Sequence, residues 1–330
     1  MRVQISSGPL IKNQDSEKKM TSLYWDDFER RSAETAKAIS EGEQPPVRRV
    51  SIFITEKCNF SCSYCNSKGV RTLSKENFEK ILGRYGDTAI IHITGGEPSI
   101  VSWLYPFLRE NENKYRFHLN TNAYIEPPAS SVRRLKISLD HCNPVWDETV
   151  GRKGAFNRVV ENIKKASKKT FVSVTYTLTS ANYHNAVKFA EWSNNEFPDL
   201  YAVFFSVYKG TDPRYVFSDE DADDFFNNIL PGLKRVLPKE SLSLIVETID
   251  EKKRIMQGIR FPENVSCSGT CYLSISERVF SPDGEEYTCS HLYRDGVFKK
   301  EPSFHEKCRY GCNRRLVMFN EEVKKRLLNG

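Results

Sequence analysis

The chain has 330 residues, a formal net charge of +6 and 39% hydrophobic residues, enough for one large domain plus a small one with an ample core. No apolar run approaches the length that spans a bilayer, and the N-terminus lacks a signal peptide's apolar core, so the expectation is a cytoplasmic protein with no membrane partner. Acidic and basic residues, 43 against 49, are mixed along the chain; no nucleic-acid module and no solenoid repeat is visible, and pairs such as Lys164 and Lys165 read as solvated helix faces.

Residues 1–47 read as a polar N-terminal extension. A helix is predicted from Leu23 to Ile39, carrying Tyr24, Trp25 and Phe28, and Pro45-Pro46 ends the segment. The extension is expected to pack against the large domain. From 48 to 237 strand-like and helix-like stretches alternate. The strands are predicted at Arg49–Thr55, Ala89–Thr94, Arg116–Asn120, Arg134–Leu139, Thr170–Leu178 and Tyr201–Val207. Helices with apolar spacing near 3.6 are predicted at Lys75–Tyr85, Trp103–Glu110, Ala155–Ser167, Tyr183–Asn194 and Asp219–Leu237. Six strand–helix units in series imply an α/β fold with parallel strands and right-handed crossovers. Residues 238–264 read as a connector with one apolar stretch, Leu242–Val246. Residues 265–330 read as a small C-terminal unit: a hairpin over Val279–Cys289 turning at Pro282-Asp283-Gly284, then a helix over about Glu321–Leu328.

Two motifs carry chemistry. Cys58, Cys62 and Cys65 lie within eight residues, directly after the first predicted strand. Three thiolates that close reach one metal centre, and thiolates are the usual ligands of iron–sulfur clusters. A 4Fe–4S cluster has four irons and this loop offers three sulfurs, which leaves one iron as an open site. A structural zinc knot is the alternative, but zinc takes four protein ligands, and no fourth cysteine or histidine lies within twenty residues. The clustering of the nine cysteines points to metal ligation in a reducing compartment rather than to disulfides. The second motif, Gly95-Gly96-Glu97-Pro98, ends the second predicted strand.

The Cys-x3-Cys-x2-Cys spacing with Tyr64 before the last cysteine, followed by Gly-Gly-Glu-Pro, resembles the radical S-adenosylmethionine (SAM) enzymes. The resemblance implies a partial (β/α)6 TIM barrel, and barrel sites form at the C-terminal ends of strands, where both motifs fall. It implies that Cys58, Cys62 and Cys65 hold a 4Fe–4S cluster, whose open iron binds SAM through its methionyl amine and carboxylate. The backbone at Gly95, Gly96, Glu97 and Pro98 would meet the amine, glycines allowing close approach; Glu97 either touches the cofactor or braces the loop. Reduction by a flavodoxin- or ferredoxin-type donor would cleave SAM to methionine and a 5′-deoxyadenosyl radical, which takes a hydrogen atom from the substrate. Strand-end position suggests further cofactor contacts from Asn120, Asn122, Ser138, Asp140, Thr179 and Asn182. Phe60 and Tyr64 would flank the adenine or the cluster. Capping and turn roles are the alternatives, and Asp140 also suits a catalytic position facing the substrate.

In the C-terminal unit, Cys271, Gly284 and Cys289 resemble the opening of the SPASM and twitch modules. With Cys308 and Cys312 they make four thiolates for a second, auxiliary 4Fe–4S cluster. Too few cysteines remain for a full SPASM module, so the shorter twitch form fits better. Zinc on the same four cysteines is the alternative. Cys267 is left over as a replacement ligand, a catalytic hydrogen-atom donor or a buried thiol, and Cys142 reads as packing. An auxiliary cluster favours oxidation of a small molecule of sugar, alcohol or nucleotide type. Maturation of a ribosomally made peptide, by crosslinking, epimerisation or oxidation, competes with it, although residues 1–47 are expected to be too short for a leader-binding domain. A non-catalytic iron–sulfur electron carrier or sensor is the reading from another class.

Overall fold

The computed structural model describes residues 29–65, 69–208, 212–237, 270–288 and 314–329. Six parallel strands form the body of the fold: β1 (Arg49–Thr55), β2 (Ile90–Gly95), β3 (Arg116–Thr121), β4 (Arg134–Ser138), β5 (Phe171–Leu178) and β6 (Ala202–Val207). They lie in chain order across one sheet. The strands follow the side-chain period of two. Val50, Ile52, Ile54, Ile91, Ile93, Phe117, Leu119, Leu135, Ile137, Val172 and Val174 are buried on one face. There they share a single core with Phe78, Leu82, Leu104, Leu108, Val159, Ile163 and Phe189 of the helices. The alternate residues face the barrel interior. This is a partial (β/α)6 barrel.

Crossover helices are α2 (Lys75–Tyr85), α3 (Leu104–Glu110), α5 (Ala155–Ser167) and α6 (Ala186–Glu196), with α1 spanning residues 29–40 and α4 the short helix Trp146–Val150. Two predicted helices are modified. The Tyr183–Asn194 helix begins as a 3-10 turn, Tyr183–Asn185, and the last barrel helix runs as α7 (Asp219–Asp224), a π-type turn (Phe225–Ile229) and α8 (Leu230–Val236). Between β3 and β4 a 3-10 turn, Ala129–Ser131, replaces a crossover helix. Pro127 and Pro128 precede that turn and leave no room for a helix. Helix α4 was not expected, being too short for a periodic pattern. Asp147 within it accepts from the backbone N–H groups of Gly154 and Phe156 (2.8 Å for Phe156) and so caps the start of α5.

The hairpin after residue 270 extends the barrel sheet. Strand β7 (Glu277–Phe280) pairs in parallel with β1, and β8 (Glu286–Tyr287) pairs antiparallel with β7. The turn forms at Pro282-Asp283-Gly284: Gly284 N–H donates to Ser281 O at 2.9 Å, and Gly284 takes φ +84°, a conformation that favours glycine. Helix α1 packs mainly on the C-terminal elements rather than on the barrel wall. Ala36, Leu273, Phe319 and Val323 form a second small core with Cys271 beside it. Arg31 pairs with Glu277 at 2.7 Å, and Arg48 to Glu34, at 2.8 Å, ties the helix to the entry of β1. The C-terminal helix, Arg314–Asn329, is twice the predicted length. Asn320 on it accepts from the N–H groups of Tyr272 (2.6 Å) and Leu273 (3.3 Å), capping the short helix Tyr272–Ser276. Leu23–Phe28, Leu242–Val246 and most of the C-terminal cysteines lie outside the described residues.

Truncating the fully buried Ile52 to alanine is expected to lower unfolding stability by about 2–5 kcal/mol. Phe171→Ala, at the half-exposed start of β5, should cost less than about 1 kcal/mol; the midpoints of urea unfolding measure both.

Candidate cofactor site at the strand ends

The chain leaves β1 into the loop that carries the three cysteines and returns at residue 69. Its neck is closed by backbone bonds from Glu56 to Arg71 (2.9 Å) and from Leu73 to Ile54 (2.8 Å), and by Thr55 Oγ1 with Thr72 Oγ1 at 2.7 Å. The Arg71 guanidinium bridges Glu56 and Asp283, so the same neck holds the β7–β8 turn. The cysteine segment lies on helix α4: Ser61 and Ser63 donate backbone bonds to Val150 and Thr149 at 2.9 and 3.0 Å. Gly151, φ +65°, faces Ser61 so closely that a Cβ there would overlap its hydroxyl. Phe60 points inward, edge-on to Trp146 and Tyr124 with centroids 5.7 Å away in each case. It anchors the loop to the core.

The Gly-Gly-Glu-Pro segment passes directly beneath this loop. Gly96 N–H donates to Thr55 O at 2.6 Å and Glu97 N–H to Lys57 O at 2.8 Å. The ladder between β1 and β2 therefore continues past the strands to the residue before Cys58. Gly95 adopts φ +141°, and a Cβ on it would strike the Thr55 carbonyl. A Cβ on Gly96 would strike the Lys57 carbonyl and lie 2.7 Å from the Glu56 oxygen. Both obstacles are backbone, so no side chain fits. Pro98 opens the 3-10 turn after it. Glu97 is buried and turned away from the loop: its carboxylate accepts from Ser99 N–H (2.9 Å), Thr121 Oγ1 (2.6 Å) and Asn122 N–H (2.6 Å). Burial still pushes its pKa up against those three donors.

Two further side chains link other strand ends to the cysteine loop. Asn122, after β3, donates to Asn59 Oδ1 at 2.7 Å, and its amide nitrogen lies 4.0 Å from Cys58 Sγ. Asp140, after β4, accepts from the Tyr64 hydroxyl and, at 2.6 Å, from Thr177 N–H on β5. Half-buried Tyr64 and buried Asp140 form a strut, with both carboxylate oxygens engaged. Burial pushes the Asp140 carboxyl up to about 6. Asn120 faces the barrel interior and reaches Thr94 Oγ1 at 3.4 Å; Ser138 is exposed at the end of β4. Thr179 and Asn182 close their own turn, Asn182 accepting from Thr179 N–H (2.8 Å) and donating to Thr177 O (2.9 Å). Thr121, Thr177, Trp146 and Gly151 escaped the sequence reading. Their signal was positional: each sits at or one element beyond a strand end.

Cys58 is exposed, and Cys62 and Cys65 are half-buried; none of the three is in a disulfide. Desolvation by the surrounding loop raises the pKa of Cys58, with Glu97 and Cys65 adding to it, and burial pushes Cys62 up to about 12, with Asp140 and the neighbouring cysteines adding to it. Three cysteines within eight residues at one strand end are a donor set that suits an iron–sulfur centre, which takes them as thiolates with proton release on binding. Cys142 packs on the core. Cys271 is half-buried at the start of its short helix, while Cys267, Cys289, Cys308 and Cys312 lie outside the described residues.

Gly96→Ala should loosen the cysteine loop and lower the iron retained after anaerobic reconstitution to less than about half of wild type. Gly83→Ala, on an open face of α2, should instead add up to about 1 kcal/mol of stability and leave iron unchanged. The Asp140 pKa is raised above its ordinary 3.8 to about 6. The folded state thus holds that proton more tightly, and the stability so gained is complete below about pH 4 and lost as pH rises through about 6. Thermal melts from pH 4 to 7 should show a flatter pH dependence in Asp140→Asn.

A family model described as the radical SAM superfamily matches residues 52–192. Curated relatives include a GTP 3′,8-cyclase of Sulfurovum sp. (strain NBC37-1), 30% identical over 145 residues, covering 38% of this chain and 44% of that protein. A GTP 3′,8-cyclase of Peptoclostridium acidaminophilum is 26% identical over 188 residues, covering 52% and 55%. The chain thus spans about half the length of the curated relatives it matches. Among solved structures, Streptococcus suis SuiB superposes with a TM-score of 0.57 at 13% identity, over 84% of this chain and 68% of SuiB. The enzyme anSMEcpe, with bound AdoMet and a peptide, gives 0.55 at 17% identity, over 84% and 83%. These two share the fold. Motif, strand-end geometry and family match converge on one region, and residues 52–192 of this chain are a radical SAM domain.

Proposed function

We propose that this chain is a radical SAM enzyme that uses SAM to abstract a hydrogen atom and so modifies a small molecule of nucleotide, sugar or alcohol type, with an oxidative outcome. The observation that carries the reading is the cysteine loop clamped onto the Gly95-Gly96 backbone at the C-terminal ends of the barrel strands. In this reading Cys58, Cys62 and Cys65 hold a 4Fe–4S cluster, which when bound supplies the electron for homolytic cleavage of SAM. The N–H groups of Gly96 and Glu97 are engaged with the loop. What this stretch offers a cofactor is carbonyl oxygen, the complement of the methionyl ammonium. Asn120 and Ser138, which face the interior, are the polar side chains best disposed to contact SAM. Asn122 and the Tyr64–Asp140 strut position the cysteine loop. Thr179 and Asn182 shape the β5 turn, and Phe60 anchors the loop.

The nucleotide-type substrate rests on the sequence relatives, named as GTP 3′,8-cyclases. Maturation of a peptide rests on the fold likeness alone: SuiB has been solved with its precursor peptide SuiA, at 15% identity to this chain. We assign Cys271, with Cys289, Cys308 and Cys312, to an auxiliary 4Fe–4S cluster of twitch type, with Cys267 as a candidate catalytic thiol or alternative ligand. A flavodoxin- or ferredoxin-type protein would deliver the electron. Residues 1–47, 48–237, 238–264 and 265–330 are the corresponding units.

Anaerobically reconstituted protein, reduced with dithionite in the presence of SAM, should release 5′-deoxyadenosine. Changing Cys58, Cys62 or Cys65 to alanine should each lower that release by at least about a hundredfold. No release from an iron-loaded wild type would sink the enzymatic reading and favour the electron carrier or sensor.

A further inference from the structure

We propose that the bend joining α4 to α5, with Arg152, Lys153 and Arg158, is the docking surface for an acidic protein that carries single electrons and reduces the centre at the cysteine loop. This deepens the function proposed for the chain and rests on it for the presence of a cluster at Cys58, Cys62 and Cys65. The bend is held against that loop. Ser61 and Ser63 donate to Val150 O and Thr149 O at 2.9 and 3.0 Å, and a Cβ on Gly151 would strike the Ser61 hydroxyl. Gly151 and Gly154 take φ +65° and +77°, values that glycine adopts freely. The two residues between them, Arg152 and Lys153, are exposed, as are Arg158 in the first turns of α5 and Lys57 beside Cys58.

Arg152 is fixed onto the loop itself: its guanidinium donates to Asn59 O at 3.1 Å, one residue from Cys58. It lies 4.2 Å from the Tyr124 ring centroid, and Arg158 lies 4.7 Å from the same centroid. That ring stands edge-on to Phe60, and the Tyr124 N–H donates to Asn122 Oδ1 at 3.0 Å, so the arginines rest on the same residues that anchor the loop. Hydrogen bonding from Arg152, and then from Arg158, holds the Tyr124 hydroxyl below its ordinary pKa. A phenol and a carbonyl orient the two guanidiniums without cancelling their charge. Neither arginine has a carboxylate within ion-pair distance among the described residues, whereas the exposed Arg71, Arg84 and Arg214 each have one. On α4 and α5, Asp147 is committed to Gly154 and Phe156, and Glu161 pairs with Lys165 at 2.7 Å. The exposed Glu148 is the acid left over. Arginines already stacked on an aromatic ring lose little freedom on binding and are favoured in protein interfaces. A surface of this sign steers an acidic partner and orients it. In the step so served, the carrier is oxidised by one electron and the centre takes up that electron; no bond is made or broken.

The probe is a reduced flavodoxin of net negative charge, mixed by stopped flow with the anaerobically reconstituted protein at low and high KCl. Dithionite, a small reductant that needs no docking surface, is the reference. The flavodoxin should reduce wild type at a rate that falls as salt rises. The double variant Lys153→Gln with Arg158→Gln should react with it at least about tenfold more slowly at low salt and with a shallower salt dependence. The same variant should retain wild-type iron and be reduced by dithionite at close to the wild-type rate. Lys153→Arg with Arg158→Lys, which keeps both charges, should restore most of the loss, and Lys168→Gln, at the far end of α5, should change nothing. Equal flavodoxin rates for wild type and the double variant overturn the proposal, as does a wild type that dithionite reduces and flavodoxin does not. A loss shared equally by both reductants would assign the residues to the integrity of the loop and overturn it too. Unchanged flavodoxin kinetics with loss of polyuridylic acid binding would give the patch to nucleic acid instead. Reduction by either reagent needs no SAM cleavage, so absence of 5′-deoxyadenosine would refute the enzymatic reading without touching this one.

Discussion

The structure turns on two glycines that have no room for a Cβ. Gly95 and Gly96 let the end of β2 run backbone to backbone against Thr55, Glu56 and Lys57, the three residues that deliver the chain to Cys58. Without that approach, the cysteine loop would hang from β1 by its neck alone. With it, the first thiol is fixed relative to two adjacent parallel strands. Glu97 extends the constraint to a third strand through Thr121 and Asn122, and Asn122 returns it to the loop at Asn59. Glu97, Thr121 and Asn122 in this chain of contacts are buried and hydrogen-bonded, the condition under which polar contacts rigidify a structure rather than cost stability.

The far end of the loop is held by different physics. Phe60 and Trp146 contribute apolar anchoring, α4 contributes backbone acceptors, and the Tyr64–Asp140 strut ties the last cysteine's neighbour to β4 and β5. The C-terminal hairpin is continuous with the same scaffold. It pairs with β1 from the outer edge, and Arg71 joins its turn to the loop's neck. Events in the C-terminal unit and at the cysteine loop therefore share a strand and an ion-paired arginine, although exposed ion pairs of this kind contribute little stability by themselves.

Much of this was legible in the residues alone. The six strands follow from runs such as Val50-Ser51-Ile52-Phe53-Ile54, whose alternation is imposed by a sheet with one helix-covered face, and their ends shifted by a residue at most. The cysteine spacing and Gly-Gly-Glu-Pro located the site. What escaped was whatever depends on tertiary pairing. Nothing local marks Asp140 as the partner of Tyr64, 76 residues earlier. Helix α4 is one turn long, too short for periodicity to register. The attachment of β7 to β1 could not be read, since a four-residue strand carries no address for its neighbour.

The central claim is that the three clamped thiols hold a cluster with one iron left open to SAM. It is tested most directly by Mössbauer spectroscopy of the 57Fe-reconstituted chain carrying Cys271→Ala, with and without SAM. The account predicts about four irons per chain in that variant, one of which changes its isomer shift when SAM is added while the other three do not. A cluster whose irons all ignore SAM, or a chain that retains no iron once Cys271 is gone, would contradict it.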